Sequence, residues 1–352
     1  FKPSERLHST LDLYYSKFNQ SETVRGLMWP QDPGTGNGVY YTGAGASNVG
    51  GDALVTDGVV HNLRPVVRND HNKRSDWLYS AGWNTQWNFG EGWSLTGDLS
   101  YSRGRRKQSL VETYAGRSAL DSMAFQLPAG SSDFARFTPG LDYQDSAAVL
   151  LGDPARWGHD GRVEFPRQDD EIKNLRLQLR RDFTSGPFSA IDLGYNYIRR
   201  EKRKSSSVYY AYLRDGRAPL ALDPDLLLAP TALGFSGIPG VLAYDAPAAL
   251  GRYYTLSAEP STDDLKKDFS VAEKIGTAYA MLEIGTELGS FASLRGNLGA
   301  QLVHTEQSSD AFNIDPLSNT VSGSVRRGAR YHDVLPSLNL VADFGEGRLI
   351  RF

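Results

Sequence analysis

The chain contains no cysteine and only three methionines, and no wholly apolar run in its 352 residues exceeds five, the length of Ala147 to Leu151. Without cysteine there is no disulfide scaffold and no thiolate metal site. A membrane-spanning helix needs about 20 consecutive apolar residues, so none can be built here. Excess charge is missing too: 38 Lys and Arg stand against 41 Asp and Glu, a net charge of −3. That balance excludes a general nucleic-acid binder, whose affinity rests on releasing counterions with cationic side chains. The opening Phe1-Lys2-Pro3-Ser4-Glu5 has neither the basic head nor the apolar core of a secretory leader. We therefore expect that a leader has been removed or that the chain is a piece of a longer protein. What is abundant is glycine, at 36 residues, and aromatics, with 18 Tyr, 15 Phe and 6 Trp.

Apolar and polar residues alternate with period two, which places the two sets on opposite faces of a strand. Leu7, Leu11, Leu13 and Tyr15 oppose His8, Thr10, Asp12 and Ser16; Trp77, Tyr79, Ala81, Trp83, Trp87 and Phe89 oppose Ser80, Asn84, Gln86 and Asn88. The same holds for Trp93, Leu95, Leu99 and Tyr101, for Leu175, Leu177 and Leu179, and for Ile191, Leu193, Tyr195 and Tyr197. These runs are about twice the usual globular strand. Nine strands are expected, near Arg6 to Phe18, Ser75 to Phe89, Trp93 to Arg103, Glu171 to Phe183, Phe188 to Arg199, Ile275 to Glu287, Phe291 to Glu306, Arg330 to Asp343 and Arg348 to Phe352. Pro336 cannot donate to a ladder, so a bulge is expected there.

Tight turns at Gly90-Glu91-Gly92, Thr184 to Pro187, Thr286 to Ser290 and Gly345-Glu346-Gly347 alternate with connections of roughly 58, 63, 70 and 20 residues. Short turns on one side and long loops on the other are the asymmetry of a transmembrane antiparallel β-barrel. Trp77 and Trp87 end one apolar face ten residues apart; at about 3.3 Å per residue and a tilt near 40°, that is a height of roughly 25 Å, the lipid-facing band between two aromatic girdles. The girdle candidates are Tyr15, Trp77, Trp87, Phe89, Trp93, Tyr101, Phe188 and Tyr197, with Phe18 and Tyr331 added at the loop ends. The expected fold is all-β, with residues 1–352 part of a single barrel domain.

The stretches Ala278-Tyr279-Ala280-Met281-Leu282, Leu294-Arg295-Gly296-Asn297-Leu298-Gly299 and Tyr331-His332-Asp333-Val334-Leu335-Pro336-Ser337-Leu338-Asn339-Leu340 resemble the middle of TonB-dependent outer-membrane receptors. The resemblance implies a 22-stranded barrel filled by an N-terminal plug, multi-pass in the bacterial outer membrane, importing a scarce bulky nutrient with energy from the TonB complex. It covers the barrel portion, about nine strands; the plug, the TonB box and the closing strands have no counterpart in these residues. It transfers no substrate-contacting residue.

Site chemistry is sparse. The cluster Gly34, Gly36, Gly38, Gly43 and Gly45 lacks the spacing of a phosphate loop and is expected to be a loop tip. The six histidines never pair at metal-ligand spacing, Asp169-Asp170-Glu171 reads as a solvated rim, and no catalytic set can be assembled. Neither an enzyme, a cofactor nor a metal is expected. Two basic runs, Arg103, Arg105, Arg106 and Lys107, and Arg199, Arg200, Lys202, Arg203 and Lys204, fall just beyond the outer girdle. Their outward members suit the phosphates of outer-membrane lipopolysaccharide, where guanidinium forks are favoured; the alternatives are solvated extensions or an inward anionic ligand. Among the loop aromatics, Trp157, Tyr209, Tyr210 and Tyr212 suit a nutrient ligand, an oligosaccharide slightly ahead of a ferric siderophore. The competing readings are a passive outer-membrane channel and a soluble secreted β-rich carbohydrate-binding protein.

Overall fold

In the computed structural model, which describes residues 1–29, 38–49, 52–128, 134–258 and 260–352, the alternating segments lie in one large antiparallel sheet. In chain order the strands are β1 (Leu7–Met28), β2 (Tyr40–Val49), β3 (Asp52–Leu63), β4 (Val66–Asn88), β5 (Trp93–Gly116), β6 (Asp121–Gln126), β7 (Arg136–Pro139), β8 (Leu150–Leu151), β9 (Gly161–Asp182), β10 (Phe188–Leu213), β11 (Leu227–Leu233), β12 (Ile238–Tyr244), β13 (Tyr254–Ser257), β14 (Phe269–Leu288), β15 (Ala292–Ile314), β16 (Val321–Asp343) and β17 (Leu349–Arg351). Two short α-helices, α1 (Ala246–Tyr253) and α2 (Thr262–Leu265), and three single 3-10 turns lie among the described residues. The main sheet runs β1-β4-β5-β9-β10-β14-β15-β16-β17 and is open, with β1 and β17 at its edges.

All nine strands read from the alternation are in this path. Their short-turn ends fall within a few residues of expectation, whereas their loop ends run on. β9 begins at Gly161, ten residues before Glu171, and β10 continues to Leu213. Both faces are hydrophilic in the first part of the extensions, from Arg167 to Asp170 and from Arg200 to Ser207, so the alternation is interrupted there; cross-strand ion pairs such as Arg103 with Asp169 and Arg200 with Asp170 support the ladder instead. The repeated Phe-Gly-Glu-Gly frame makes the same closure twice, Phe89 N donating to Trp93 O and Phe344 N to Arg348 O, both at 3.0 Å. Gly92 is required in the first, because its φ is +72° and a Cβ would lie 2.7 Å from the Asp182 carbonyl oxygen.

Register keeps the faces consistent across strands. One row crosses the sheet as Leu11, Trp83, Leu99, Leu175, Tyr197, Gly276, His304 and His332. The apolar face is the exposed one: Trp83 is 51% exposed, Leu99 47%, Leu177 44% and Leu298 50%. The polar face is the more buried and is cross-linked. Asn84 donates to Asp98, Ser80 bonds Ser102, and Gln178 and Arg180 both donate to Asp192, which is 1% exposed. Arg180 then reaches Glu283, joining β9, β10 and β14. Tyr279 lies across Gly194 on this face, where a Cβ would come within 2.3 Å of the ring.

Four expectations are corrected. Phe18 and Tyr331 stand on the polar face, opposite Asp76 and Thr305, and leave the girdle set. Pro336 makes no bulge; it pairs with Ala300 in unbroken register. Leu340 exchanges backbone bonds with Phe352, and by period two the Pro336 nitrogen points the same way, toward the open edge where no donor is required. Gly43 and Gly45 lie within β2 rather than at a loop tip, while Gly34 and Gly36 lie outside the described residues. Finally, the long connections are structured. β2-β3-β6-β7 form a second sheet and β11-β12 a hairpin.

The β11-β12 hairpin and α1 bury Val241, Leu242, Tyr244, Ala246 and Ala249 against Val67, Ala115, Ala211 and Leu213 at the tips of β4, β5 and β10. α1 starts where Asp245 accepts from Ala248 N at 3.0 Å. The fixing point is Asn69, 1% exposed, which donates to Leu242 O at 3.0 Å and accepts from Tyr244 N at 3.2 Å.

Candidate functional site

The loop-end aromatics do not form one group. Residues 153–160 bend because Asp153 accepts from Trp157 N at 2.8 Å and Gly158 N at 2.7 Å. This carries Trp157 and His159 over the polar face of β5 and β10. Trp157 meets Tyr114 edge-on at 5.0 Å between centroids, and His159 stacks on Tyr210 at 4.4 Å with 16° between planes. Arg68 lies 5.1 Å from the Tyr114 ring and is bonded in turn to Asp70 and Glu112. The loop is anchored by Asp160, 1% exposed, which accepts from Leu213 N at 2.8 Å and from Nε and Nη2 of Arg217, each at 2.9 Å. The result is a shelf of Trp157, Tyr114, His159 and Tyr210, with the Trp157 edge exposed to solvent and carboxylates at its side.

Of the residues singled out in sequence, Trp157 and Tyr210 are brought together, through His159. Tyr209 stands on the opposite face of β10 against Phe165, 6.0 Å away, and Tyr212 lies under the Arg217 guanidinium at 5.3 Å. Neither joins the shelf. Tyr114 and Arg68 are contributed by strand extensions that the alternation does not reveal. Rigid aromatic faces flanked by polar groups hold flat, weakly polar ligand surfaces such as sugar rings.

The basic runs divide between faces by parity. Arg103, Arg105, Lys107, Arg199 and Arg203 continue the exposed apolar face. Arg106, Arg200 and Lys202 stand on the polar face, Arg106 on Asp76 and Arg200 on Asp170, and so drop out of the outward set. The run Asp169-Asp170-Glu171 lies inside β9, with each acid held by a cation: Asp169 by Arg103 and Arg105, Asp170 by Arg200, Glu171 by Lys173. Tyr15 and Tyr79 pair at 5.1 Å toward the loop end, near Trp77, while at the short turn Phe89 lies tilted against Trp87 and stacks on Trp93. Among the described residues no three His, Cys, Asp or Glu side chains are placed to hold a metal ion.

Burial holds His159 below the usual histidine range, with Arg162 and Arg217 adding to the effect against the pull of Asp153. The folded protein therefore favours neutral imidazole. Stability from this loop is present above the ordinary histidine value of about 6.5 and falls as pH drops through it toward the lowered folded value. Hydrogen exchange across residues 153–160 should accelerate as pH is taken from about 7 to 5, after correction for the intrinsic rate, and the His159→Gln variant should lose that dependence. A wild-type profile as flat as that of the variant would show that His159 does not titrate within the shelf.

Comparison of the chain with protein-family models, with curated proteins and with solved structures yields no match.

Proposed function

We propose that the chain is the barrel portion of a TonB-dependent outer-membrane receptor, importing a bulky scarce nutrient, with an oligosaccharide ahead of a ferric siderophore. One observation carries the reading: from β4 to β14 the main sheet exposes its large apolar side chains and cross-links its polar ones, while β1 and β16 are exposed on both faces. In water an exposed apolar face of this extent is unfavourable and marks an interaction surface; in a bilayer the same arrangement is the one that satisfies both faces. The aromatic bands at the two ends of that face, the short turns on one side and the folded loops on the other accord with it. Both sheet edges expose long rows of unpaired backbone groups, which further barrel strands would pair. In this reading the cross-linked polar face lines the lumen and the shelf stands at its outer mouth.

Because the chain has no native cysteine, single-cysteine variants report one site each. Spin labels at Leu95, Leu99, Leu177 and Ile191 should report hydrocarbon, and those at Thr96, Asp98 and Gln178 water. Identical environments for the two sets would end the barrel reading, and release of the protein without detergent would favour the soluble carbohydrate-binding alternative. A passive channel differs in its energy dependence, since its uptake would continue when TonB is removed.

Ligand class has its own measurement. In the intact receptor, replacing Trp157 and Tyr210 together by Ala should weaken saccharide binding by about 2 kcal/mol, the truncation cost of well-packed aromatic contacts, and leave growth on chelated iron unchanged. Failure of iron-limited growth with saccharide binding intact would make the siderophore the better assignment.

A further inference from the structure

β15 and β16 bring two histidines face to face. His304 and His332 are direct cross-strand partners on the exposed face, with the pair Leu302 and Val334 on the short-turn side and the pair Glu306 and Arg330 on the loop side. Their rings stack at 4.4 Å with 29° between planes, and the two Nδ1 atoms are 3.2 Å apart. One hydrogen at most fits between two nitrogens at that distance, so one Nδ1 presents a bare lone pair to the other. Glu306 Oε1 lies 3.5 Å from His304 Nε2 and draws the hydrogen of His304 to that side, which makes its Nδ1 the acceptor.

That separation is the bite of a chelate. Two nitrogens about 2.0–2.1 Å from one ion, at the angle of about 90° to 109° that tetragonal or tetrahedral coordination gives, lie about 2.8–3.4 Å from each other. The stacked rings need only turn about their Cβ–Cγ bonds to aim both lone pairs at one ion, a soft torsion for histidine. Room for this exists, since His332 is exposed and the small residues Gly276 and Ala278 leave an open concavity beside His304. Glu306 does not complete the ligand set, because Arg330 at 2.8 Å and Lys274 at 3.4 Å hold its two oxygens. The donors are therefore two imidazoles and water. Such a set suits Cu²⁺, Ni²⁺ and Zn²⁺ and not the oxygen-seeking Ca²⁺ or Mg²⁺.

We propose that His304 and His332 chelate one divalent transition cation through their Nδ1 atoms, with solvent in the remaining positions and Glu306 orienting His304 from behind. The hydrogen between the rings passes through solvent to the Nε2 of His332, so no net proton is released and the ion takes its place. The consequence is a staple between strands. β16 is exposed on both faces, and among the described residues its far edge is paired only along β17 and Phe352. An ion shared with β15 fixes its register at one rung. Neither the site nor its test depends on the barrel reading.

The test titrates the full chain, in detergent and in a buffer that does not chelate metals, with Cu²⁺ as the probe. Electron paramagnetic resonance of the first equivalent should show two coordinated imidazoles. Wild-type protein should bind at least about tenfold more tightly than His304→Gln or His332→Gln, because a second ligand held in place acts at high effective concentration. Gln keeps size and polarity at these exposed positions, and equal urea midpoints of the metal-free proteins would show that the variants fold. His8→Gln, on the polar face of β1, should bind as wild type does. Zn²⁺ should compete for the site and Ca²⁺ should not, and Zn²⁺ should slow hydrogen exchange across β16 in wild type but in neither variant. A single coordinated imidazole in wild type, single variants that bind as tightly as wild type, a loss in His8→Gln equal to theirs, or a Zn²⁺ effect on exchange that survives removal of either histidine would each overturn the proposal.

Discussion

Leu177→Arg is expected to destabilise the protein folded in a phospholipid bilayer by about 2–4 kcal/mol, the cost of a cation near the midplane of a barrel's lipid face. Leu177 is 44% exposed, opposite Gly97 and Tyr195 on the apolar face. Its neighbour Gln178 provides the internal control, since it donates to Asp192 beside Arg180. Gln178→Arg keeps a donor for that carboxylate and should cost under about 1 kcal/mol. Reversible unfolding in urea, followed for both variants in the same lipid, gives the difference directly. Equal costs would show that the two faces meet the same medium.

The second large effect concerns the folded loops. Asn69→Ala removes the side chain that donates to Leu242 O and accepts from Tyr244 N, and it also strips Arg25 Nε of its acceptor at 3.1 Å. Two buried backbone groups of β12 are then left without partners, a loss of about 3 kcal/mol at 1–3 kcal/mol per unsatisfied group. The loss should be local, because Asn69 joins β12 to the tip of β4 rather than one main strand to another. Hydrogen exchange should rise across residues 238–253 while β14 and β15 keep their protection. Asn69→Asp, which keeps the acceptor and loses the donor, should give a smaller rise. Unchanged exchange in the Ala variant would mean that the packing of Leu242 and Tyr244 holds the hairpin without this clamp.

The main strands were legible because two independent signals coincide in them. Leu175, Leu177 and Leu179 alternate against polar neighbours, and turn residues bound the run on its short side. Beyond Glu171 toward Gly161 no turn bounds the run, and Arg167 to Asp170 carry charge or amide on both faces, which cuts the short alternation of Val163 and Phe165 against Arg162 and Glu164 off from the rest of β9. The hairpin that covers the strand tips was illegible for the opposite reason: Ile238, Val241, Leu242, Ala243 and Tyr244 are all buried. A short run buried on both faces reads neither as an amphipathic strand nor as a helix. α1 did carry its mark, an Asp245 cap with Pro247 in the first turn, set within a segment that composition assigned to a loop. In the shelf, Trp157 and Tyr210 were visible as aromatics, but the bend at Asp153 and the bridging role of His159 depend on residues far apart in sequence. His304 and His332, which never come within ligand spacing along the chain, are stacked at 4.4 Å because β15 and β16 place them opposite one another.

The row from Leu11 to His332 has a geometric consequence. Leu11 lies four residues from the short-turn end of β1, while His332 lies eleven from that of β16. Over the seven steps between those strands the row climbs about one residue per strand. With the short turns level, a rise of about 3.3 Å for each 4.8 Å step sideways inclines the strands by roughly 35°. A strand of 23 residues, the length of β15 and of β16, then stands about 60 Å tall, against an apolar band of about 25 Å. If the apolar face is the lipid face proposed above, more than half of the sheet would therefore rise clear of the hydrocarbon. In the proposed barrel, a ligand approaching from the medium would meet Trp157 and Tyr210 well before the level of the lipid headgroups, and the protein would sample its surroundings from above the leaflet that held it.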